Sequence, residues 1–334
     1  MSRPVTILAA LSSQELGEFL PGRLLEEAKA LATRFDHLET DNLTCEEFSQ
    51  RLARCESEIL LTCWKTPPLP AQLPPSLRYV CHLSGSIRKV VTREHLERGL
   101  LVSNWGGSIS RIVAEWALFH VLSCLRRATF WTLAMHQQAG WKNGHTETAS
   151  LFGRRVGLHG FGQVARELTG LLRAFSCEIS AFAPDVDAAT EARFGIKRAN
   201  SLEELFGENE IIVELAPLIP ATLGCVSESL LRRIPPGGVF VNVGRGAVVD
   251  EDALVRIARE GKIMVGLDVF TVEPLPPDSG LRGLPNVTLT PHLAGPTTDR
   301  RRDAGQFALE NLRAYVSGQP LKAVITPRTF DGMT

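Results

Sequence analysis

The sequence predicts an α/β chain of two domains, each a parallel sheet flanked by helices, on three observations. Short apolar runs alternate with polar, helix-like segments along the chain, the pattern that parallel strands joined by crossover helices require. The chain has 334 residues, more than a single hydrophobic core ordinarily holds. A glycine-rich turn, Gly157-Leu-His-Gly-Phe-Gly-Gln-Val-Ala165, falls between a strand-like run and a helix-like run. In that context such a turn is a candidate nucleotide site.

In the first hundred residues, strands are expected at 5–10, 58–63, 79–83 and 100–103, apolar runs of the length of buried strands. Helices are expected at 24–34, 46–54 and 92–98. Segment 66–75 holds five prolines, which cannot donate to a sheet or helix ladder, so it reads as a surface connection. Residues 108–136 read as one long helix. Its apolar residues Ile112, Trp116, Phe119, Leu122, Leu125, Phe130 and Trp131 spread over more than one side, more than one intramolecular face covers. The helix is therefore expected to pack between domains or against a second chain, with Glu115 solvated or ion-paired.

From residue 155 the alternation is more regular, with strands expected at 155–159, 178–182, 211–215, 239–243, 263–267 and 287–290. Ser201-Leu-Glu-Glu204 has the form of a capping box, Ser201 capping and Glu204 reaching back. Asp250 is placed to cap a helix that stops at Gly261, and a final helix over 298–316 ends at Gly318.

The composition is 44% hydrophobic and 22% charged, that of an ordinary globular protein. A net charge of −1 gives no electrostatic reason for binding nucleic acid or an anionic membrane. No stretch approaches the roughly 20 apolar residues of a membrane span. The seven cysteines are scattered and form no CxxC pair. They read as reduced packing thiols of a cytoplasmic protein, with no disulfide frame and no metal site.

The candidate chemistry lies in the second half. In the glycine turn, Gly160 permits the tight bend, and Gly162 lets backbone N–H groups approach a pyrophosphate at a helix N-terminus. Ala165 allows close helix–strand packing. The next strand closes Ala181-Phe-Ala-Pro-Asp185. Ala183 stands where an acid usually bonds the adenosine ribose, and Asp185 follows two residues later. No arginine or lysine follows closely, so NAD is the expected cofactor and NADP the alternative. Downstream, Arg245, Glu273 and His292 each sit at a strand end or loop. An arginine forks onto a carboxylate, an imidazole moves a hydroxyl proton, and a carboxylate orients that imidazole.

The stretches VGLHGFGQVA, APLIPATLG, VFVNVGRGAVVDEDAL, GLDVFTVEPLPPDSGL and LPNVTLTPHLAGPT follow one another in this order. With them the sequence resembles the D-isomer-specific 2-hydroxyacid dehydrogenases. The resemblance implies two Rossmann-like domains. One is a discontinuous substrate domain over 1–106 and 298–334, the other a dinucleotide-binding domain over 107–297. It implies hydride transfer between NAD(H) and C2 of a small D-2-hydroxy acid or 2-oxoacid. His292 would be the general acid/base, Glu273 its orienting partner and Arg245 the substrate ligand. Gln163 and Val164 would lie beside the pyrophosphate. Val243, Gly244 and the segment from His292 to Gly295 would line the nicotinamide, and Asp268 would meet its carboxamide. Ser84, Gly85 and Ser86 occupy the place of the substrate-carboxylate loop, with Arg88 where an acid is common. His159, Glu214 and Leu215 depart from the family pattern, and His159 reads as a packed strand-end histidine. A homodimer through the long helix is also implied. Two alternatives stand beside this reading: a non-catalytic NAD-sensing protein of the same fold, like the transcriptional corepressors that share it, and a member with weakened cofactor binding.

Overall fold

A computed structural model describes residues 4–142 and 147–331. The chain divides into two compact units, Met1–Ile109 with Pro296–Thr334, and Ser110–Gly295. Among the described residues no helix is long and apolar enough to cross a membrane.

In the first unit the strands are β1 (Thr6–Ala10), β2 (Arg34–Leu38), β3 (Ile59–Thr62), β4 (Tyr79–His82) and β5 (Leu101–Ser103). They run parallel in the order β2-β1-β3-β4-β5. Residues of β3 and β4 are buried throughout, as strands covered on both faces must be. The helix Arg301–Val316 packs into this unit through a close approach. A Cβ at Gly305 would stand 1.6 Å from the carbonyl oxygen of Phe19, so only glycine lets that helix lie against helix Ser13–Phe19.

The second unit holds β6 (Arg155–His159), β7 (Glu178–Phe182), β8 (Lys197–Arg198), β9 (Ile211–Glu214), β10 (Val239–Asn242), β11 (Met264–Leu267) and β12 (Val287–Leu289). The order is β12-β11-β10-β9-β6-β7-β8, parallel throughout. Strand order reverses between β6 and β9, which opens a crevice beyond their carboxyl ends. Two apolar clusters form this unit's core, one containing Val156, Leu158 and Leu168, the other Ile212, Phe240 and Leu254.

Several expectations need correction. The single helix over 108–136 is two, Ser110–Arg126 and Ala128–Gln138. Arg127 adopts φ 51° and ψ 39°, the left-handed region, which interrupts the hydrogen-bond ladder, and its guanidinium lies over the Phe130 ring. No glycine or proline marks the break. Strand β2 was not expected; its half-exposed sequence Arg34-Phe-Asp-His-Leu38 lacks the apolar run of a central strand because it lies at the sheet edge. The helix read over 24–34 stops at Ala30. Helix Ser13–Phe19 was also unread, although Ser12 and Glu15 form a full capping box. At the box expected from the sequence, Ser201 accepts from Glu204 N–H, but the Glu204 carboxylate takes the N–H of Asn200 instead of Ser201. Asp250 caps as expected, accepting from Ala253 N–H at 3.0 Å.

Each unit buries a neutral-leaning histidine. His82 lies between Thr62 Oγ1 at 2.8 Å and Ser84 Oγ at 2.6 Å, and burial pushes it down to about 4. Burial likewise pushes His120 down to about 4, against the upward pull of Asp268. An unfolded histidine titrates near ~6.5, so between these values the unfolded chain binds more protons. The stabilising contribution is therefore complete above that range and is lost as pH falls toward 4. We expect the urea midpoint to drop from pH 7 to pH 4.5, and to drop less in His120→Gln; equal slopes in the two proteins would contradict this account.

Candidate active site

The glycine turn sits at the switch point of the second sheet. Gly160 has φ 89°, and a Cβ there would meet Leu215 and Ala216 backbone atoms at 2.8 Å. The turn thus requires glycine twice over, for its dihedral and for the approach of the loop after β9. Gly162 is the N-cap of helix Gln163–Arg173 and supplies no side-chain cap. No heavy atom lies within 4 Å of where its Cβ would be. Exposed N–H groups at a helix start with open space before them suit a pyrophosphate, so the residues present fit NAD. Gln163 is exposed and Val164 half-buried in the helix's first turn, while Ala165 is buried against the sheet. Asp185, two-thirds exposed beyond β7, lies 3.8 Å from Arg166 Nη2.

Beneath this turn lies a polar pair. His159, the last residue of β6, is in register with Glu214, the last of β9. His159 Nδ1 and Glu214 Oε2 are 2.5 Å apart, and both residues are buried. Glu214 Oε1 accepts the N–H of Ala216 at 2.8 Å. Two of the departures from the family pattern, His159 and Glu214, are therefore one feature: each supplies the other's hydrogen-bond partner, as burial demands.

Arg245, Glu273 and His292 follow β10, β11 and β12 in turn. Behind Arg245, the buried Asn242 side chain accepts from Gly244 N–H and donates to the Arg245 carbonyl, both at 3.0 Å. A Cβ at Gly246 would stand 2.0 Å from the carbonyl carbon of Phe270, so this glycine brings the Arg245 turn against the loop that leads to Glu273. Burial lowers the Arg245 pKa, opposed by the charge of Glu273; an arginine stays protonated regardless. Glu273 Oε1 accepts from Phe270 N–H at 3.0 Å, and Oε2 meets His292 Nδ1 at 2.7 Å. His292 has φ 54°, and its side chain remains 48% exposed. With Nδ1 engaged, Nε2 is the nitrogen that faces outward chemistry.

The support beneath His292 is Asp268, wholly buried. Its Oδ1 accepts from Trp116 Nε1 at 3.0 Å, Thr290 Oγ1 at 2.6 Å and Leu293 N–H at 2.8 Å; its Oδ2 accepts from Ala294 N–H at 2.8 Å. These bonds go to protein donors and fix the turn that carries His292. Trp116 and Thr290 are donors to Asp268 that the sequence did not single out. Val243 is buried, a Cβ at Gly244 would lie 3.3 Å from the Glu214 carbonyl oxygen, and Gly295 has open space at its α-carbon.

In the first unit, Ser84, Gly85 and Ser86 follow β4. The Ser84 and Gly85 carbonyls are taken by Trp105 N–H at 3.3 Å and Asn104 Nδ2 at 2.6 Å. Arg88 donates to the carbonyls of Phe330 and Asp331 and lies over the Phe330 ring, which ties it to the short helix Pro327–Asp331. Among the described residues no cluster could hold a metal ion.

A parallel sheet with a glycine turn at its switch point defines the class of dinucleotide-binding α/β oxidoreductases. Residues 118–294 match the family model for the D-isomer specific 2-hydroxyacid dehydrogenase NAD binding domain, and the chain belongs to that family. It is an NAD(P)-dependent oxidoreductase working between 2-hydroxy acids and 2-oxoacids. It is 33% identical to hydroxyphenylpyruvate reductase of Plectranthus scutellarioides, over 74% of this chain and 78% of that one. It is 28% identical to glyoxylate reductase of Korarchaeum cryptofilum, over 81% and 82%. The fold matches the holo form of D-mandelate dehydrogenase from Rhodotorula graminis with a TM-score of 0.82 at 22% identity, covering 97% of this chain and 98% of that one.

The buried pair at the cofactor turn gives a test. His159→Leu leaves a buried carboxylate without its partner and is expected to cost about 3 kcal/mol in urea unfolding. Adding Glu214→Leu should recover much of this, short of wild type because Ala216 N–H loses its acceptor. A double variant no more stable than the single would show that the pair is not coupled.

Proposed function

We propose that the protein interconverts a small 2-oxoacid and its D-2-hydroxy acid, with His292 as the general acid/base. The observation that supports this best is the 2.7 Å bond from Glu273 to His292 Nδ1 beneath a half-exposed ring. Gly160, Gly162, Gln163 and Val164 would hold NAD(H), whose chemistry would be to give or take the hydride. His292 Nε2 gives a proton to the carbonyl oxygen in reduction and takes it back in oxidation. Glu273 keeps Nδ1 protonated and stabilises the charged ring. Arg245 forks onto the substrate carboxylate and polarises the carbonyl oxygen; in the first unit the backbone N–H groups at Ser84, Gly85 and Ser86 are carboxylate donors. Asp268 acts as a positioning residue for the His292 turn. The first unit is then the substrate domain and the second the dinucleotide-binding domain. Asp185 and the lack of a basic residue following β7 closely in sequence favour NADH over NADPH.

The test is a fluorescence titration with NADH, then turnover on a panel of 2-oxoacids. His292→Gln is expected to keep NADH binding and lose turnover by roughly two to four orders of magnitude, the size of a missing general acid. Turnover near wild type in that variant would remove His292 from the chemistry, and NADH binding with no turnover in the wild-type protein would favour a sensing role.

We also propose a homodimer and a cytoplasmic location, the latter supported by seven unpaired cysteines. The dimer is supported by Phe119, Leu133 and Met135 on the paired helices of the second unit, 44%, 46% and 48% exposed, an unusual set of apolar side chains to leave in water. Light scattering should give twice 36.6 kDa, and Leu133→Asp should shift the mass toward the monomer. A monomeric wild-type protein at micromolar concentration would refute the dimer.

A further inference from the structure

The carboxyl edge of the first sheet carries an aromatic wall that the proposed chemistry does not use. Trp64 follows β3 and Trp105 follows β5, on either side of the loop after β4. Trp64 is 45% exposed, yet it is held firmly. Phe19 meets it edge-on at 5.3 Å, Trp105 edge-on at 6.2 Å, and the Arg301 guanidinium lies 5.2 Å from its ring. Such edge-to-face and cation–ring contacts fix an indole in place. A fixed, half-exposed indole offers a binding face with its ordering cost already met by the fold.

Trp105 ties this wall to the loop. A Cβ at Gly85 would stand 2.8 Å from Trp105 Cζ2, so position 85 is glycine because an indole covers its α-carbon. The Ser84 and Gly85 carbonyls are engaged by Trp105 and Asn104. Among the described residues the N–H groups of Gly85 and Ser86 have no backbone acceptor. Donors for a carboxylate and an apolar ring surface therefore adjoin. Three nearby cations are engaged: Lys65 with Asp41, Arg301 with Glu18, and Arg88 with the carbonyls of Phe330 and Asp331. The indoles therefore present an apolar face at this edge.

We propose that the substrate is a 2-oxoacid whose side chain is an aromatic or bulky uncharged apolar group, with Trp64 and Trp105 as its wall. This rests on reading Ser84, Gly85 and Ser86 as the carboxylate loop. Phenylpyruvate, 4-methyl-2-oxopentanoate, glyoxylate and hydroxypyruvate are compared by kcat/KM on the full chain with NADH. Phenylpyruvate binding is measured separately by calorimetry. Phenylpyruvate should exceed glyoxylate by about tenfold or more, the value of one well-made ring contact. Trp64→Ala should erase most of that ratio and weaken phenylpyruvate binding by about tenfold, and Trp64→Phe should keep most of both. A ratio at or below one, or a ratio that Trp64→Ala leaves unchanged, overturns the substrate class while 2-oxoacid reduction stands. If no 2-oxoacid turns over, the catalytic reading fails; calorimetry then decides the wall alone, supporting it if Trp64→Ala weakens binding and overturning it if it does not.

Discussion

The buried carboxylate of Asp268 is the constraint on which the rest of the candidate site depends. A carboxylate taken out of water must be met by donors or it neutralises or unfolds the region around it. Here Trp116 in helix Ser110–Arg126, Thr290 just beyond β12, and the N–H groups of Leu293 and Ala294 meet it. Those donors come from two segments of the chain, the helix and the turn after β12. One charge therefore sets the position of the helix and the conformation of the turn after β12. His292, at φ 54°, pays the strain of a left-handed dihedral, and the adjoining bonds to Asp268 hold it there.

Close approaches do for the other loops what Asp268 does for this one. Gly246 lets the Arg245 turn touch the backbone after β11, and Gly160 lets the glycine turn touch the loop after β9. The His159–Glu214 pair lies under that second contact. Replacing two apolar positions by a hydrogen-bonded pair gains little stability in itself. It does join the ends of β6 and β9 with a directional bond, at the point where the cofactor crevice opens.

How much of this was legible in the sequence depends on how far apart the partners lie. The central strands were readable because both faces are buried and the apolar runs are continuous, as in Val239-Phe-Val-Asn242. The edge strand Arg34-Phe-Asp-His-Leu38 was not, since edge burial leaves no such run. The Ser12–Glu15 capping box was present in the sequence and could have revealed its helix. The break at Arg127 had no local signal, because neither glycine nor proline makes it. Arg245, Glu273 and His292 were recognisable from their surroundings in sequence. Trp116 was not, because its indole N–H meets a carboxylate 152 residues away, and nothing local distinguishes it from any other apolar helix residue.

The burial of these groups follows from what each has to do. The proton donor proposed at His292 must exchange with substrate and solvent, and the His292 and Glu273 side chains are 48% and 36% exposed. Groups that hold the surrounding loops must not exchange, and Asp268, Asn242 and Glu214, under the His292, Arg245 and glycine turns, are almost fully buried. An exposed pair such as Glu273–His292 would by itself be loosely placed, since solvent weakens the bond and both side chains retain rotamer freedom. Its geometry is instead inherited from backbone: Phe270 N–H fixes Glu273 from one side, and the Asp268-bound turn fixes His292 from the other. In the proposed reaction, reactivity and rigidity are thus assigned to different residues, which would let a proton-transfer pair remain open to its substrate without losing its alignment.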